Sequence, residues 1–329
     1  MGYIMNTLDF ISIGEVMIQL NSITPGPLRY ARYFEVHVAG SEANVMIGLA
    51  RLGFKTGLIT RLGRDEFGEM IIRVLRGEGV DTSHVKFVED APTGIYFIQR
   101  HYPIPGKSTV FYYRHGSAAS RMDESDVDEE YVNRARAIFL TGITPALSDS
   151  CLKAVRKARE VTLNLKKDLI FDTNIRLKLW RSTEKARSIL LPLIEGSKII
   201  FTNKEDLNIL YPDKEMSEAV LLLLDLNIQY VVVKMGEEGA VLYSKDGRTL
   251  FAKPPTPPII EDVIGAGDAF DAVFIAGIYR GLDLEEVLKI ANLAGSLAVT
   301  VRGDIEAQPD WKVLEALKEY YVKKIETLR

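Results

Sequence analysis

The chain has 329 residues, 26% charged and 47% hydrophobic, and its 41 Lys and Arg against 45 Asp and Glu leave a net charge of −4 at pH 7. A chain this long buries roughly three-quarters of its unfolded surface and needs no disulfide or metal to hold a core; its single cysteine, Cys151, excludes an intramolecular disulfide and a cysteine-built zinc site. With no block of Lys and Arg, electrostatic capture of nucleic acid or of an anionic membrane is not expected.

Apolar runs such as 219–235 are broken by Asp225, Asn227, Gln229 and Lys234 before the ~20 residues of a membrane span. The first cationic side chain is Arg29, so the start lacks a signal peptide's basic region, and the cytoplasm is the expected compartment. Along the chain, 15–38 and 93–115 are aromatic and alternating, as in Leu28-Arg29-Tyr30-Ala31-Arg32-Tyr33-Phe34 and Thr109-Val110-Phe111-Tyr112-Tyr113-Arg114. Between them, 41–52 and 66–75 carry helical period. From 135 to 243, β-branched runs at 137–142, 169–172, 198–203 and 230–234 alternate with helical segments, the last two near 186–193 and 218–226. That alternation predicts a parallel sheet covered on both faces. Three helical stretches, 267–280, 284–301 and 311–325, close the chain. The expected architecture is an α/β three-layer sandwich built from 1–14, 39–92 and 116–329, with a small β-sheet lid from 15–38 and 93–115.

The richest segment is Val263-Ile264-Gly265-Ala266-Gly267-Asp268-Ala269-Phe270-Asp271, between a Pro-rich loop and an Ala-rich helix. Small residues at a helix start leave its N–H groups uncovered, and with the helix dipole these form an anion site. A carboxylate there, Asp268, repels a phosphate unless its task is to take a proton from an attacking hydroxyl. The bland alternative is a capping Asp in a Gly turn, and on these letters alone the two readings weigh equally.

Gly265-Ala266-Gly267-Asp268-Ala269-Phe270 resembles the C-terminal signature of the ribokinase-type (PfkB) carbohydrate kinases, and Ala39-Gly40-Ser41-Glu42-Ala43-Asn44-Val45 through Leu52-Gly53 resembles their N-terminal one. The resemblance implies a ribokinase-like, Rossmann-like fold with an inserted lid that often mediates dimerisation, hence a homo-oligomer, and a kinase using ATP and Mg2+. Further pieces resemble the 2-keto-3-deoxygluconate kinases, especially archaeal ones: Gly14-Glu15 and Asn21-Ser22, Thr93-Gly94-Ile95-Tyr96, Tyr112-Tyr113-Arg114-His115-Gly116-Ser117-Ala118, Asp172-Thr173-Asn174-Ile175-Arg176, and Arg302-Gly303-Asp304. What this implies is Asp268 as base, Gly265, Ala266 and Gly267 as anion hole, and sugar contacts from Gly40, Ser41, Asn44, Tyr96, Tyr112, Arg114, Asn174, Arg176 and Asp304. The acceptor implied is a sugar acid phosphorylated at its C6 hydroxyl, the galactonate epimer included as an option. Such a molecule needs a cation, donors for its carboxylate and acceptors for its hydroxyls, which Arg, Tyr and Asp or Asn supply. Without the resemblance, Tyr112 and Tyr113 read rather as a half-buried strand pair, and Arg114 and Arg176 equally as solvated charges or as ligand contacts.

On the nucleotide side, Asn203-Lys204-Glu205-Asp206 resembles the family's Asn-x-x-Glu element for magnesium and phosphate, with Asp at its fourth position, so either Asp206 or Glu205 takes that role. Lys234-Met235-Gly236-Glu237-Glu238-Gly239 resembles the ATP-adjacent turn, and alone reads equally as a hairpin. Val263 and Ile264 replace the usual hydroxyl residues and leave monovalent-cation activation without those side-chain oxygens. His37, His84, His101 and His115 have no metal-ligand spacing. The alternatives are a kinase of the same fold for a neutral sugar or nucleoside, and a non-catalytic sugar-binding sensor.

Overall fold

The computed structural model describes residues 8–104 and 107–327, with side chains described through residue 321. The expected segment 1–14 is therefore described from residue 8. The strands are β1 Phe10–Ile13, β2 Met17–Ser22, β3 Phe34–Ala39, β4 Thr56–Gly63, β5 Val85–Val88, β6 Ile95–Gln99, β7 Thr109–Tyr113, β8 Ala137–Thr141, β9 Asp168–Asp172, β10 Ile199–Asn203, β11 Tyr230–Lys234, β12 Ala240–Ser244 and β13 Thr249–Ala252. Nine of them form one sheet in the order β13-β12-β11-β10-β9-β8-β1-β4-β5, and the other four form a second in the order β3-β2-β6-β7.

Strands β8 to β11 pair in parallel because helices carry the chain back over the sheet each time. Their sequences are apolar on both faces, and Phe139, Phe171 and Phe201 are fully buried. One face packs against helices Ser41–Arg51, Ala266–Arg280 and Leu284–Ala298. The other packs against Asp149–Asn164, Thr183–Ile194, Lys204–Leu210 and Met216–Leu224. Several helix starts are fixed by side chains: Ser148 accepts from the Cys151 N–H at 3.0 Å, and Asp65 from Gly68 at 2.8 Å.

Some boundaries differ from expectation. The stretch 28–33 is not strand: Pro25 and Pro27 flank Gly26 (φ 123°), the Tyr30 N–H bonds back to Pro27, and a short turn at Leu28–Tyr30 delays β3 until Phe34. The helix expected to 301 stops at Ala298, where the Val299 carbonyl accepts the Glu261 N–H. At the sheet edge β11, β12 and β13 run antiparallel, so residues 236–239 do form a hairpin turn.

The second sheet lies against the carboxyl ends of the large one. Strand β2 alternates, with Gln19 and Asn21 directed at the body. Polar contacts tie β3 to the C-terminal loop: His37 Nδ1 bonds Glu306 Oε1 at 2.6 Å and Arg302 Nη1 meets Glu35 at 2.9 Å. Glu261 Oε2 receives both Arg302 Nε at 3.0 Å and Arg100 Nη2 at 3.1 Å.

Candidate active site

The parallel strands β1, β8, β9, β10 and β11 end at Ile13, Thr141, Asp172, Asn203 and Lys234, along one edge of the large sheet. In open α/β sheets that edge borders the ligand crevice. Two helices begin there. Gly40 precedes Ser41–Arg51 with φ 149°, and a Cβ on it would meet the Glu15 carbonyl at 2.4 Å. Gly265 precedes Ala266–Arg280 with φ 80°, and a Cβ would lie 2.7 Å from the Asp304 carbonyl. Only glycine fits either place without displacing backbone.

At the second helix start, the Ala269 N–H is the first to bond back, to Gly265. The N–H groups at 265–267 precede it, so they are the donors an anion would use. Asp268 sits beside them, held from the facing helix: Ser41 Oγ donates to Oδ1 at 2.7 Å and Asn44 Nδ2 donates to Oδ2 at 2.7 Å. Asn174 Nδ2 in turn donates to Ser41 Oγ at 3.1 Å. Burial raises the Asp268 carboxyl above its ordinary range, opposed by the Asn44 and Ser41 hydrogen bonds and the Lys234 charge. A capping role is excluded by the geometry, since Gly265 is the capping residue and the Asp268 side chain turns toward Ser41 and Asn44.

A second carboxylate lies next to it. Asp304 Oδ2 accepts from the same Asn44 amide at 3.0 Å, while Gln19 Nε2 (2.7 Å) and Tyr96 hydroxyl (3.2 Å) donate to Oδ1. Burial, with the neighbouring Asp268 and Asp262 charges, pushes Asp304 up to about 7 despite those donors. The second sheet thus reaches Asp268 through Gln19, Tyr96, Asp304 and Asn44.

Tyr112 packs on Tyr96 with centroids 5.4 Å apart and stays half exposed. The Arg114 guanidinium lies 5.4 Å from the Tyr112 ring centre and is buried against Glu15, which also accepts from Ser117. Arg114 Nε donates to Glu15 Oε2 at 2.6 Å, so part of the charge expected to meet a ligand carboxylate is already balanced by protein. Arg176 is exposed, just ahead of the short helix Leu177–Trp180.

At the ends of β10 and β11, Asn203 caps the helix Lys204–Leu210, accepting the Asp206 N–H at 2.7 Å. Asp206 Oδ2 accepts the Thr173 hydroxyl at 2.6 Å and the Ile175 N–H at 3.0 Å, so this carboxylate shapes the 173–175 loop. Glu205 is exposed on the same turn. Gly236 (φ 58°) and Gly239 (φ 118°) form the β11–β12 turn. Lys234 directs its ammonium to Asp172 Oδ2 at 3.0 Å and to both oxygens of Asp271 at 2.9 and 3.0 Å. No group of three or more His, Cys, Asp or Glu among the described residues is arranged to hold a metal ion.

Residues 8–311 match the family model described as pfkB family carbohydrate kinase. The chain belongs to this family. It is accordingly a phosphotransferase with an alcohol acceptor, and its two sheets are those of the ribokinase fold. It is 44% identical over 311 residues, 94% of each chain, to 2-dehydro-3-deoxygluconokinase of Thermoproteus tenax. It is 30% identical over 327 residues, 97% of this chain and 94% of the relative, to 5-dehydro-2-deoxygluconokinase of Clostridium perfringens. Among solved structures it superposes on 2-dehydro-3-deoxygluconokinase of Thermotoga maritima with a TM-score of 0.85 at 25% identity, covering 94% of this chain and 99% of that one. A ribokinase II from E. coli in complex with ATP and Mg+2 gives a TM-score of 0.88 at 25% identity, over 95% and 99%.

The fold brings Gly40, Ser41, Asn44, Tyr96, Tyr112, Arg114, Asn174, Asp268 and Asp304 into one connected group. Arg176, Gly236 and Gly239 lie outside this connected group. Sequence reading missed Gln19 and Asp271, and missed Glu15 as the partner of Arg114. Two of these carried a signal: Gln19 and Asn21 break the apolar run Met17-Ile18-Gln19-Leu20-Asn21 with period two, and Asp271 follows Asp268 by three in an otherwise apolar helix.

Proposed function

We propose that the chain transfers the terminal phosphoryl group of ATP to the C6 hydroxyl of 2-keto-3-deoxygluconate, with the galactonate epimer as a second acceptor to test. The observation that carries the reading is Asp268: a buried carboxylate, oriented by Ser41 and Asn44, at a helix start whose N–H groups are uncovered. That pairing suits a hydroxyl that loses its proton to Asp268 as its oxygen bonds to phosphorus, with ADP leaving in line. The N–H groups of Gly265, Ala266 and Gly267 would take up charge on the phosphoryl oxygens.

The sugar end is formed by Gly40, Ser41, Asn44, Tyr96, Tyr112, Asn174 and Asp304, with Arg114 and the rim residue Arg176 as cations for the acid group. Asn203, Asp206, Lys234, Gly236 and Gly239 would border the nucleotide. Magnesium neutralises phosphate charge when bound; one Asp206 oxygen is already engaged by the loop, so the ion would be held chiefly by nucleotide phosphates and water. The lid supports water exclusion through its polar ties to the body.

The outward face of the second sheet exposes Val36, Phe111 and Tyr113, which supports a homo-oligomer formed through the lid. No helix of the described residues is long and apolar enough to cross a membrane, in keeping with a cytoplasmic enzyme.

The deciding assay is ADP release with 2-keto-3-deoxygluconate beside 5-keto-2-deoxygluconate, gluconate, fructose and ribose, followed by locating the new phosphate ester. Preferred turnover of the first, with the ester at C6, is expected. Equal or faster turnover of fructose or ribose would favour the neutral-sugar reading, and binding without ADP from any acceptor would favour a sensor. Asp268→Asn should retain sugar binding and lower turnover by ~10²–10⁴-fold; near-normal turnover would remove Asp268 as base.

A further inference from the structure

Lys234 stands among the nucleotide-side residues, yet its ammonium is clasped by two carboxylates from different elements. Asp172 ends β9, and Asp271 lies on the helix that carries Asp268, one turn further along its buried side. The contacts close a ring. From Lys234 they run to Asp172, whose Oδ1 accepts the Asn174 N–H at 3.2 Å; from Asn174 Nδ2 to Ser41 Oγ; from Ser41 to Asp268; and back along the helix to Asp271 and Lys234. The Phe201 ring, centred 5.4 Å from Nζ, lies beside the ammonium, and a Cβ on Gly267 would lie 3.5 Å from it. The charge therefore sits next to the start of the anion hole.

We propose that Lys234, held by Asp172 and Asp271, is a positioning residue that fixes the start of the Asp268 helix against the sheet and keeps Asp268 ionised. The inference rests on Asp268 being the base. Burying one cation with two carboxylates is a poor way to gain stability, because desolvation offsets most of the attraction. An arrangement that joins the base to two strand ends has a geometric use instead.

The charges facing Asp268 set the sign. The helix Ser41–Arg51 presents neutral donors, Ser41 and Asn44; the C-terminal loop presents Asp304; β9 presents Asp172; β11 presents Lys234; and its own helix adds Asp271. Lys234 favours the ionised form of Asp268, and Asp172 opposes it. Burial alone would lower the Lys234 ammonium, but the Asp172 and Asp271 charges outweigh it and hold it above its ordinary value.

The test is the pH profile of kcat at saturating ATP and sugar acid for the full chain and its variants. Lys234→Met should move the acidic half-point up by about one unit and lower the plateau at least ~10-fold, whereas Asp172→Asn and Asp271→Asn should move it down. Lys234→Arg, which keeps the charge, should restore the half-point. A structural role would lower all plateaus without opposite shifts, so shifts in one direction only, or none, would overturn the proposal. If Lys234→Met does not fold, Lys234→Gln takes its place, and an unmoved half-point overturns the proposal. Asp268→Asn, run alongside, separates failure of the base reading, which would show as retained turnover, from failure of the clasp.

Discussion

Asn44 holds Asp268 and Asp304 with one amide group, its Nδ2 lying 2.7 Å from Asp268 Oδ2 and 3.0 Å from Asp304 Oδ2. Its carbonyl oxygen is buried without a hydrogen-bond partner, as is that of Gln19, which leaves two acceptor oxygens beside Asp304. Asn44→Leu removes the shared donor and leaves two close carboxylates to repel each other. The expected result is a kcat lower by ~10²-fold and an acidic limb displaced to higher pH. Steady-state rates from pH 5 to 9 check it, and an unmoved limb would show that the amide does not tune the pair.

Asp304 gives a stability prediction with a defined window. Its folded-state value of about 7 exceeds the ordinary aspartate value of 3.8, so the folded form binds more protons between those limits and stability falls as pH rises through them. Asp304→Asn lacks this dependence. Thermal unfolding should therefore show the variant gaining on the parent from pH 5 to pH 8, while losing sugar affinity. A constant difference in Tm would mean that Asp304 ionises as it does in the unfolded chain.

Arg114 must be tested with its partner. Arg114→Ala alone strands the buried Glu15 carboxylate and should cost ~3–5 kcal/mol of stability, masking any effect on the ligand. Arg114→Ala/Glu15→Gln removes both charges and should recover most of that loss. The double variant is expected to stay selectively weak toward the sugar acid, with neutral acceptors little changed. Recovery of sugar-acid KM together with stability would take Arg114 out of carboxylate recognition.

The lid contact at His37 predicts a second pH dependence. The Glu306 hydrogen bond raises the His37 imidazole above 6.5, against a smaller lowering by burial, with Glu35 and Asp304 adding to the rise. The tie is fully present below 6.5 and weakens as pH rises through the raised value. KM for the sugar should grow severalfold toward pH 9, and Glu306→Gln should show the higher KM throughout with a flat profile. A rise that persists in Glu306→Gln would place its origin elsewhere, and the neighbouring Arg302–Glu35 contact would be the next to remove.

Local chemistry determined a good deal of this protein from sequence alone. The β-branched runs at 137–141, 168–172 and 199–203 could only be satisfied as buried strands, because both faces are apolar. The small residues before Asp268 marked an anion site, whereas the close backbone approach at Gly40 and Gly265 emerged only from the fold. The turn chemistry of Pro25-Gly26-Pro27 was equally local, though its effect on β3 was not read in advance. What only the tertiary structure decided are the pairings between residues far apart in the chain: Arg114 with Glu15, Lys234 with Asp172 and Asp271, and Gln19 with Asp304. A charged letter carries no record of which partner will balance it. That choice follows from which strand ends and helix starts the fold brings together, and from how little water remains between them.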